Sequence, residues 1–96
     1  MRLRFAPRAR TDIADIYHYI FSHNASAATA VVRQIRFTGQ LLARYPGLGR
    51  NTDIFGVRVF PTAGYPYLVY YRVVADEVVI IHVRDGRRDA PEDKGL

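Results

Sequence analysis

Two neighbouring runs of β-branched and aromatic residues constrain the fold of this chain more than any other feature. They cover residues 65–74 and 77–84, and Ala75 and Asp76 lie between them. Runs of this composition favour β-strands, and a two-residue break between them is typical of a hairpin turn. The sequence therefore predicts two adjacent antiparallel strands at the centre of a small sheet.

Alternation of side chains along a strand gives this predicted hairpin two unlike faces. One face of the second strand is aliphatic, and we expect its side chains to pack against the core; they are Val79, Ile81 and Val83. The opposite face of the hairpin carries polar side chains, namely Arg72, His82 and Arg84. A working surface of the sheet is therefore expected on that second face.

The first half of the chain predicts a short strand followed by two helices. Residues 2–6 alternate between polar and apolar, as strand residues do. Over about 8–22, apolar residues recur at the spacing of an amphipathic helix. A second helix is expected to begin at a cap formed by Asn24 or Ser26 and to run to about Tyr45, just before a Pro-Gly pair.

Together these elements predict a single α+β domain. Each helix has one apolar stripe, and the sheet is the surface large enough to bury both stripes. Residues 57–60 form a further short strand before the hairpin. We therefore expect a short N-terminal strand, an α-helical hairpin and a three-stranded antiparallel β-meander, with the helices packed on one face of the sheet. The domain is expected to span residues 1–96, with a loose polar tail from about 86 to 96.

The composition narrows the classes of function. A net charge of +5 and a pI near 10.0 suggest an acidic partner, either nucleic acid or an acidic protein segment, although a basic surface also serves solubility. The chain has no cysteine and its histidines are scattered, so we expect no disulfide, metal or cofactor. No apolar run approaches the roughly 20 residues of a membrane helix, and we expect a cytoplasmic protein without a membrane partner.

Five short motifs occur in this chain in the order that one family of bacterial proteins shows. They lie at residues 9–13, 45–50, 56–60, 70–73 and 80–88, and the last of them ends in Gly86-Arg87-Arg88. Together the motifs span almost the whole chain. On these residues the sequence resembles the RelE/ParE family of toxins from type II toxin–antitoxin systems.

The resemblance implies a toxin of the plasmid-stabilisation type that forms a hetero-oligomer with a tightly bound, ParD-like antitoxin. The RelE-like branch of the family cleaves messenger RNA on the ribosome, whereas the ParE-like branch inhibits DNA gyrase by binding and is not an enzyme. The chain has no tyrosine after Tyr71 and carries Gly-Arg-Arg near its end, which favours the ParE-like branch. A degenerate toxin that only binds its antitoxin is a third interpretation.

Each interpretation assigns different residues to function. An RNase would hold the scissile phosphate with Arg58, Arg72 and Arg84 and would use His82 as acid or base. Alternatively, His82 is a half-buried strand histidine with one hydrogen-bond partner, and Arg58 and Arg72 pair with carboxylates across the sheet. A gyrase inhibitor would contact its target through the C-terminal arginines, which are Arg84, Arg87 and Arg88.

The two predicted helices carry more apolar surface than one sheet face can cover. We therefore expect part of this surface to form a groove that binds an amphipathic helix of the antitoxin. The residues assigned to antitoxin binding are Ile13, Ile16, Ile20, Phe37, Leu41, Arg58 and Arg72. In this interpretation the apolar side chains supply most of the affinity, and the two arginines steer an acidic segment into register.

Overall fold

The computed structural model describes residues 1–87, which form two helices and one five-stranded sheet. The elements in chain order are β1 (Arg2–Phe5), α1 (Pro7–Phe21), α2 (Ala25–Arg44), β2 (Arg50–Asn51), β3 (Arg58–Pro61), β4 (Tyr67–Val74) and β5 (Glu77–Asp85). The predicted α+β class, the N-terminal strand, the helical hairpin and the meander are confirmed. Arg88 and most of the predicted tail lie outside the described residues.

The strands are ordered β1-β5-β4-β3-β2 across the sheet. Strands β3, β4 and β5 form the predicted antiparallel meander, while β1 pairs in parallel with the outer side of β5. The two-residue strand β2 pairs with β3 at the opposite edge. Pairing between β1 and β5 ends at Phe5 and Ile80, so the last residues of β5 have no neighbouring strand on that side.

The helix boundaries follow from local chemistry and lie within one residue of the predicted positions. Pro7 opens α1, where its missing N–H leaves no hydrogen bond unmade. Of the two expected caps of α2, it is Asn24 that accepts a hydrogen bond from the Ala27 N–H, at 3.1 Å. Tyr45 is the C-cap of α2. Neither helix of residues 1–87 has the length and apolar character that crossing a membrane requires.

Both helices pack on one face of the sheet, and the main core lies between the two layers. Its buried side chains include Ala9, Val31, Ile35 and Leu42 from the helices and Tyr67, Val69, Tyr71, Val78, Ile80 and Val83 from the strands. A smaller cluster covers the other face of the sheet and consists of Val57, Val59 and Tyr70, with the half-buried Ile54, Leu68 and Ile81 against it. The sheet is therefore apolar on both sides.

A β-bulge interrupts the pairing of β4 with β5. Tyr70 lies opposite His82, whereas the next residue, Tyr71, lies opposite Ile80. Ile81 is therefore an extra residue on β5 with no partner position on β4. A bulge of this kind shifts the alternation of side chains between the segments that flank it.

Because of this bulge, the side chains of β5 that face the main core differ from those predicted. Val78 and Ile80 join Val83 in the main core, although simple alternation places Val83 on the other side from both. Ile81 packs against the cluster on the opposite face. The prediction that Val79, Ile81 and Val83 share the core face is wrong for the first two, because the spacing of apolar residues does not reveal an inserted one.

Candidate functional site

Arg58 and Arg72, which belong to the motifs at residues 56–60 and 70–73, lie on opposite faces of the sheet. Arg58 pairs with Tyr71, whose side chain is in the main core, and Arg72 is the next residue along β4. The Nη1 of Arg58 donates to the carbonyl of Gly49 at 2.6 Å. The Nη1 of Arg72 lies 3.5 Å from the carbonyl oxygen of Phe55. Within the described residues, the two guanidinium groups therefore contact different backbone carbonyls, Arg58 that of Gly49 and Arg72 that of Phe55.

The alternative role of these two arginines is also not what the structure shows. Within residues 1–87 neither Arg58 nor Arg72 forms an ion pair with a carboxylate, and Arg58 bonds a backbone carbonyl instead. The loop that carries this carbonyl is fixed by Tyr71, whose hydroxyl accepts from the Gly49 N–H and donates to the Pro46 carbonyl, each at 2.8 Å. Burial raises the pKa of the Tyr71 hydroxyl, which therefore stays protonated at neutral pH.

Arg84 and His82 come together around Tyr70. The Nε of Arg84 donates to the Tyr70 hydroxyl at 3.0 Å, and its guanidinium carbon lies 5.6 Å from the centre of the Tyr70 ring. The imidazole of His82 packs on the same ring, with centroids 5.5 Å apart. These three side chains form a connected group near the end of β5, whereas Arg58 and Arg72 do not belong to it.

Asp12 of α1 completes this group from across the sheet edge. Its Oδ2 lies 2.7 Å from the Nδ1 of His82 and accepts a hydrogen bond from the Val83 N–H at 3.0 Å. Because β1 pairs only as far as Ile80, the carboxylate takes the place of a strand residue on the open edge of β5. Since a carboxylate accepts, the His82 Nδ1 carries the proton and Nε2 is left for another partner.

The His82 contact shows what sequence reasoning missed. The side chain of His82 is 13% exposed and has one hydrogen-bond partner, which agrees with the interpretation of a half-buried strand histidine. Its partner, Asp12, belongs to the motif at residues 9–13, but nothing in that motif indicates a contact with His82. The two residues are 70 positions apart, and no local pattern in the sequence connects them.

The turn after β5 holds the next predicted target residue. Asp85 accepts from the Arg87 backbone N–H at 2.9 Å and from the Arg87 side chain at 3.2 and 2.9 Å. These bonds raise the pKa of Arg87 and fix its guanidinium at the surface. Gly86 lies between these two residues, and a Cβ there would lie 2.9 Å from the Cγ of Leu68, so a larger residue would require Leu68 or the turn to shift. Arg88 lies outside the described residues.

A cleft of about 630 Å³ lies between α1 and the end of β5. Side chains of both charges and two tyrosines line it: Asp12, Asp15, Tyr19, Tyr67, His82, Arg84, Asp85 and Arg87. In residues 1–87 no group of three acidic, histidine or cysteine side chains is placed to hold a metal ion. The cleft therefore presents charged side chains of both signs beside two tyrosine rings.

The residues assigned to the antitoxin do not form one surface. Ile13, Ile16 and Ile20 are half-buried and pack against the main core. Phe37, in contrast, is 51% exposed on α2. One helical turn later comes Leu41, followed by Tyr45, and at a spacing of four residues the three lie along one side of the helix.

We call Phe37, Leu41, Tyr45 and Leu48 the α2 stripe. Its last two members are exposed, like Phe37. Arginines flank the stripe, and no carboxylate of residues 1–87 pairs with Arg33, Arg36 or Arg44. The sequence has no acidic residue between Asp15 and Asp53, so this side of the helical hairpin is both apolar and positively charged.

A second apolar surface is the groove between the two helices. It is about 620 Å³ in volume and is lined by Phe5, Arg10, Ile13, Ala14, Tyr17, His18, Val32 and Arg36. Of the predicted residues, Ile13 therefore contributes to this groove and Phe37 to the α2 stripe. On a helix of 3.6 residues per turn, the exposed arginines of α2 separate the two surfaces.

The sequence and the fold match known toxins. The family model described as the ParE toxin of the type II toxin–antitoxin system, parDE, matches residues 3–90. "Putative toxin Y4kP" of Sinorhizobium fredii is 33% identical over 91 residues, which is 95% of this chain and 94% of that protein. "Toxin RelE3" of Caulobacter vibrioides is 29% identical over 83 residues, 85% of this chain and 90% of that protein.

Two solved structures share the fold. A chain of the chromosomal ParDE TA system from P. aeruginosa has a TM-score of 0.79 at 24% identity, covering 88% of this chain and 95% of that one. A chain of the intact E. coli RelBE toxin–antitoxin complex has a TM-score of 0.68 at 15% identity, covering 91% of this chain and 98% of that one. With a family model that matches almost its whole length, this chain belongs to the ParE toxin family of type II toxin–antitoxin systems.

Proposed function

We propose that this toxin inhibits DNA gyrase by binding it, in the cytoplasm, as part of a plasmid-stabilisation module. The observation that carries this proposal is the dispersal of the candidate catalytic groups. Arg58 is bonded to a loop carbonyl on the helix side of the sheet, and Arg72 lies on the other face. A phosphoryl-transfer site needs its cations and its acid and base around one phosphate. The dispersal of these groups therefore favours a binding protein.

A ParD-like antitoxin is the proposed partner of the helical hairpin. The α2 stripe and the groove between the helices together offer the apolar surface that an amphipathic helix buries. Arg33, Arg36 and Arg44, which pair with no carboxylate of residues 1–87, favour an acidic sequence for that helix. The two structural relatives, which come from a ParDE system and from a RelBE toxin–antitoxin complex, support a partner of this kind.

The target surface is proposed at the cleft beside β5. There Arg87 is exposed and held in place by Asp85, so its guanidinium is presented without a large loss of side-chain entropy on binding. Arg84 lies in the same cleft, although Tyr70 already accepts one of its hydrogen bonds. Arg88 belongs to the same proposal on the sequence alone.

The test is direct binding of the purified toxin, freed from antitoxin, to immobilised gyrase. We expect saturable binding that the antitoxin abolishes, and weaker binding of Arg87→Ala. Arg8→Ala, which removes an exposed arginine of α1, is the control for a general loss of charge. Equal binding of wild type and Arg87→Ala would show that Arg87 is not part of the interface. Absence of binding between the wild type and gyrase would refute the proposal.

The hydrogen bond between Asp12 and His82 favours a second candidate, a ribosome-dependent RNase. In that reaction the Nε2 of His82 takes the proton of a ribose 2′-hydroxyl, whose oxygen then attacks the adjacent phosphorus. The bond from phosphorus to the 5′ oxygen breaks, which leaves a 2′,3′-cyclic phosphate, and the 5′ oxygen takes a proton from water. Asp12 would hold the imidazole in the required tautomer, and Arg84 would stabilise the charge on the phosphate.

This second candidate is tested by incubating the toxin with ribosomes that carry a labelled message. Cleavage that His82→Ala abolishes and Asp12→Asn reduces would establish the RNase and contradict gyrase binding as the main activity. An intact message excludes it. A toxin that neither cleaves RNA nor binds gyrase, but still binds its antitoxin, would be the degenerate protein of the third interpretation.

A further inference from the structure

The loop between β2 and β3 holds a phenylalanine almost entirely in solvent. The side chain of Phe55 is 98% exposed, and the next most exposed large apolar residue of the described chain, Tyr19, is 67% exposed. Single exposed apolar residues are common on protein surfaces. Phe55 differs from these in the construction of the loop beneath it.

Four short hydrogen bonds fix this loop. The Thr52 N–H and the Thr52 hydroxyl both donate to the Val57 carbonyl, at 3.1 and 3.0 Å. The Val57 N–H donates to the Ile54 carbonyl at 3.0 Å, and the Ile54 N–H donates to the Thr52 hydroxyl at 3.1 Å. Ile54 also packs inward against the cluster of Val57, Val59 and Tyr70. The loop is thus anchored on both sides of Phe55.

The residue after Phe55 completes the turn. Gly56 has a φ of +80°, which favours glycine, and a Cβ there would lie 3.3 Å from the Nη1 of Arg72. Arg72 therefore lies directly against the loop, where it also approaches the Phe55 carbonyl. The backbone at Phe55 is therefore set before a partner arrives, so that little backbone entropy is lost on binding.

The surroundings of Phe55 are apolar and basic. Phe55 and the exposed Val73 line one shallow depression together with Arg58. Arg72 lies against the other side of the same loop, and Asp53 is the acidic residue within it. Two guanidinium groups against one carboxylate leave the charge around Phe55 positive. A partner surface with carboxylates around an apolar centre complements it.

The shape of the patch decides which partner fits. A short helix or extended segment of an antitoxin binds by placing its side chains in grooves of the toxin, such as the groove of the helical hairpin. A side chain that projects from a rigid loop instead needs a concave pocket in its partner, and such pockets are formed by folded proteins. We propose that Phe55 is the apolar anchor of this toxin on its protein target, entering a pocket whose rim carries carboxylates. In the strand order the β2–β3 loop lies on the far side of the sheet from the cleft beside β5, so this contact is additional to those of Arg84 and Arg87.

This inference rests on the proposed function, because it requires a protein target, but that target need not be gyrase. The experiment measures growth arrest in cells that express the toxin from a titratable promoter without antitoxin. Burial of a phenylalanine contributes about 1.5–3 kcal/mol, so Phe55→Ser should raise the inducer level needed for arrest about tenfold or more. Phe55→Leu, which keeps most of the apolar volume, should stay close to the wild type.

Antitoxin affinity is the second readout, since it reports whether each variant is folded. We expect Phe55→Ser to bind the antitoxin as tightly as the wild type. The inference is overturned if Phe55→Ser arrests growth like the wild type, if it loses antitoxin binding in parallel, or if the wild type itself does not arrest growth. Activity of Phe55→Tyr with loss in Phe55→Leu would indicate stacking on a nucleic-acid base and would also overturn it.

Failure of the gyrase proposal gives a different result. A wild-type toxin that arrests growth but does not bind gyrase refutes gyrase as the target. The comparison of Phe55→Ser with Phe55→Leu in growth arrest still holds in that case, because it does not depend on which protein is bound.

Discussion

The carboxylate of Asp12 joins the imidazole of His82 at 2.7 Å and in doing so fastens α1 to the edge of β5. The same oxygen accepts the Val83 N–H at 3.0 Å. This edge has no strand beside it once β1 has turned into the helix. One side chain therefore replaces the strand pairing that the short β1 does not provide.

Removal of the Asp12 carboxylate should destabilise the fold. Hydrogen bonds to a charged group contribute about 1.5–3 kcal/mol, and Asp12→Ala leaves the Val83 N–H unpaired at a half-buried edge. We expect a loss in that range in the free energy of unfolding, measured by urea denaturation. Asp15→Ala, on the exposed side of the same helix, is the matched control and should change stability by less than about 0.5 kcal/mol. Equal effects of the two substitutions would show that the edge contact is not stabilising.

The contact between Gly49 and Tyr71 predicts a strong effect of one added methyl group. A Cβ on Gly49 would lie 2.6 Å from the Tyr71 hydroxyl oxygen, and that ring is held in the core by its bond to Pro46. Gly49→Ala should lower the free energy of unfolding by about 1–3 kcal/mol, the usual effect of overpacking. Gly47→Ala is the control, since a Cβ there meets nothing within 4 Å. Thermal melts of both variants measure the difference, and a Gly49→Ala melt equal to that of Gly47→Ala would contradict the packing described.

The raised pKa of Tyr71 predicts a loss of stability in alkaline solution. The free tyrosine hydroxyl titrates near pH 10, and burial raises its pKa in the folded state. The stability that comes from burying the neutral hydroxyl is fully present below about pH 10 and is lost as the pH rises through the folded pKa, because the unfolded chain releases the proton first. Urea unfolding between pH 8 and pH 11 should show this slope, and Tyr71→Phe should reduce it. An unchanged slope in Tyr71→Phe would assign the alkaline loss to other groups.

The α2 stripe predicts which contacts hold the antitoxin. Phe37 is half exposed, and covering the rest of its surface is worth about 1–1.5 kcal/mol, or roughly tenfold in affinity. Phe37→Ala should therefore accelerate dissociation of the complex by about that factor, measured at low and at high salt. High salt alone should weaken the complex less, since it screens mainly the arginine contacts. Complete release by salt, with no effect of Phe37→Ala, would show that the contact is mainly ionic.

The elements of this fold were predictable from the sequence because their signals are local. The caps and apolar spacing of α1 and α2, and the break at Ala75 and Asp76, each depend on a few adjacent residues. The extra residue Ile81 and the parallel pairing of β1 with β5 depend on how distant segments align. For that reason the core face of β5 was predicted wrongly.

The candidate site was less predictable than the fold, for the same physical reason. From the sequence, Arg58 and Arg72 were expected to be neighbours on adjacent strands. Arg58 pairs instead with Tyr71, and alternation along β4 places the next residue, Arg72, on the opposite face of the sheet. The partner of His82 was not predictable from the sequence, because Asp12 approaches it from a helix 70 positions away. Phe55 gave no signal, since its exposure depends on the hydrogen bonds that fold the loop around it.

We propose that this toxin acts by binding a protein and not by cutting RNA. One preparation of the toxin, freed from its antitoxin, should be divided between a gyrase supercoiling reaction and ribosomes loaded with a labelled message. We expect supercoiling to stop at a toxin concentration that leaves the message intact, and added antitoxin to restore supercoiling. A cleaved message alongside undisturbed supercoiling would contradict it.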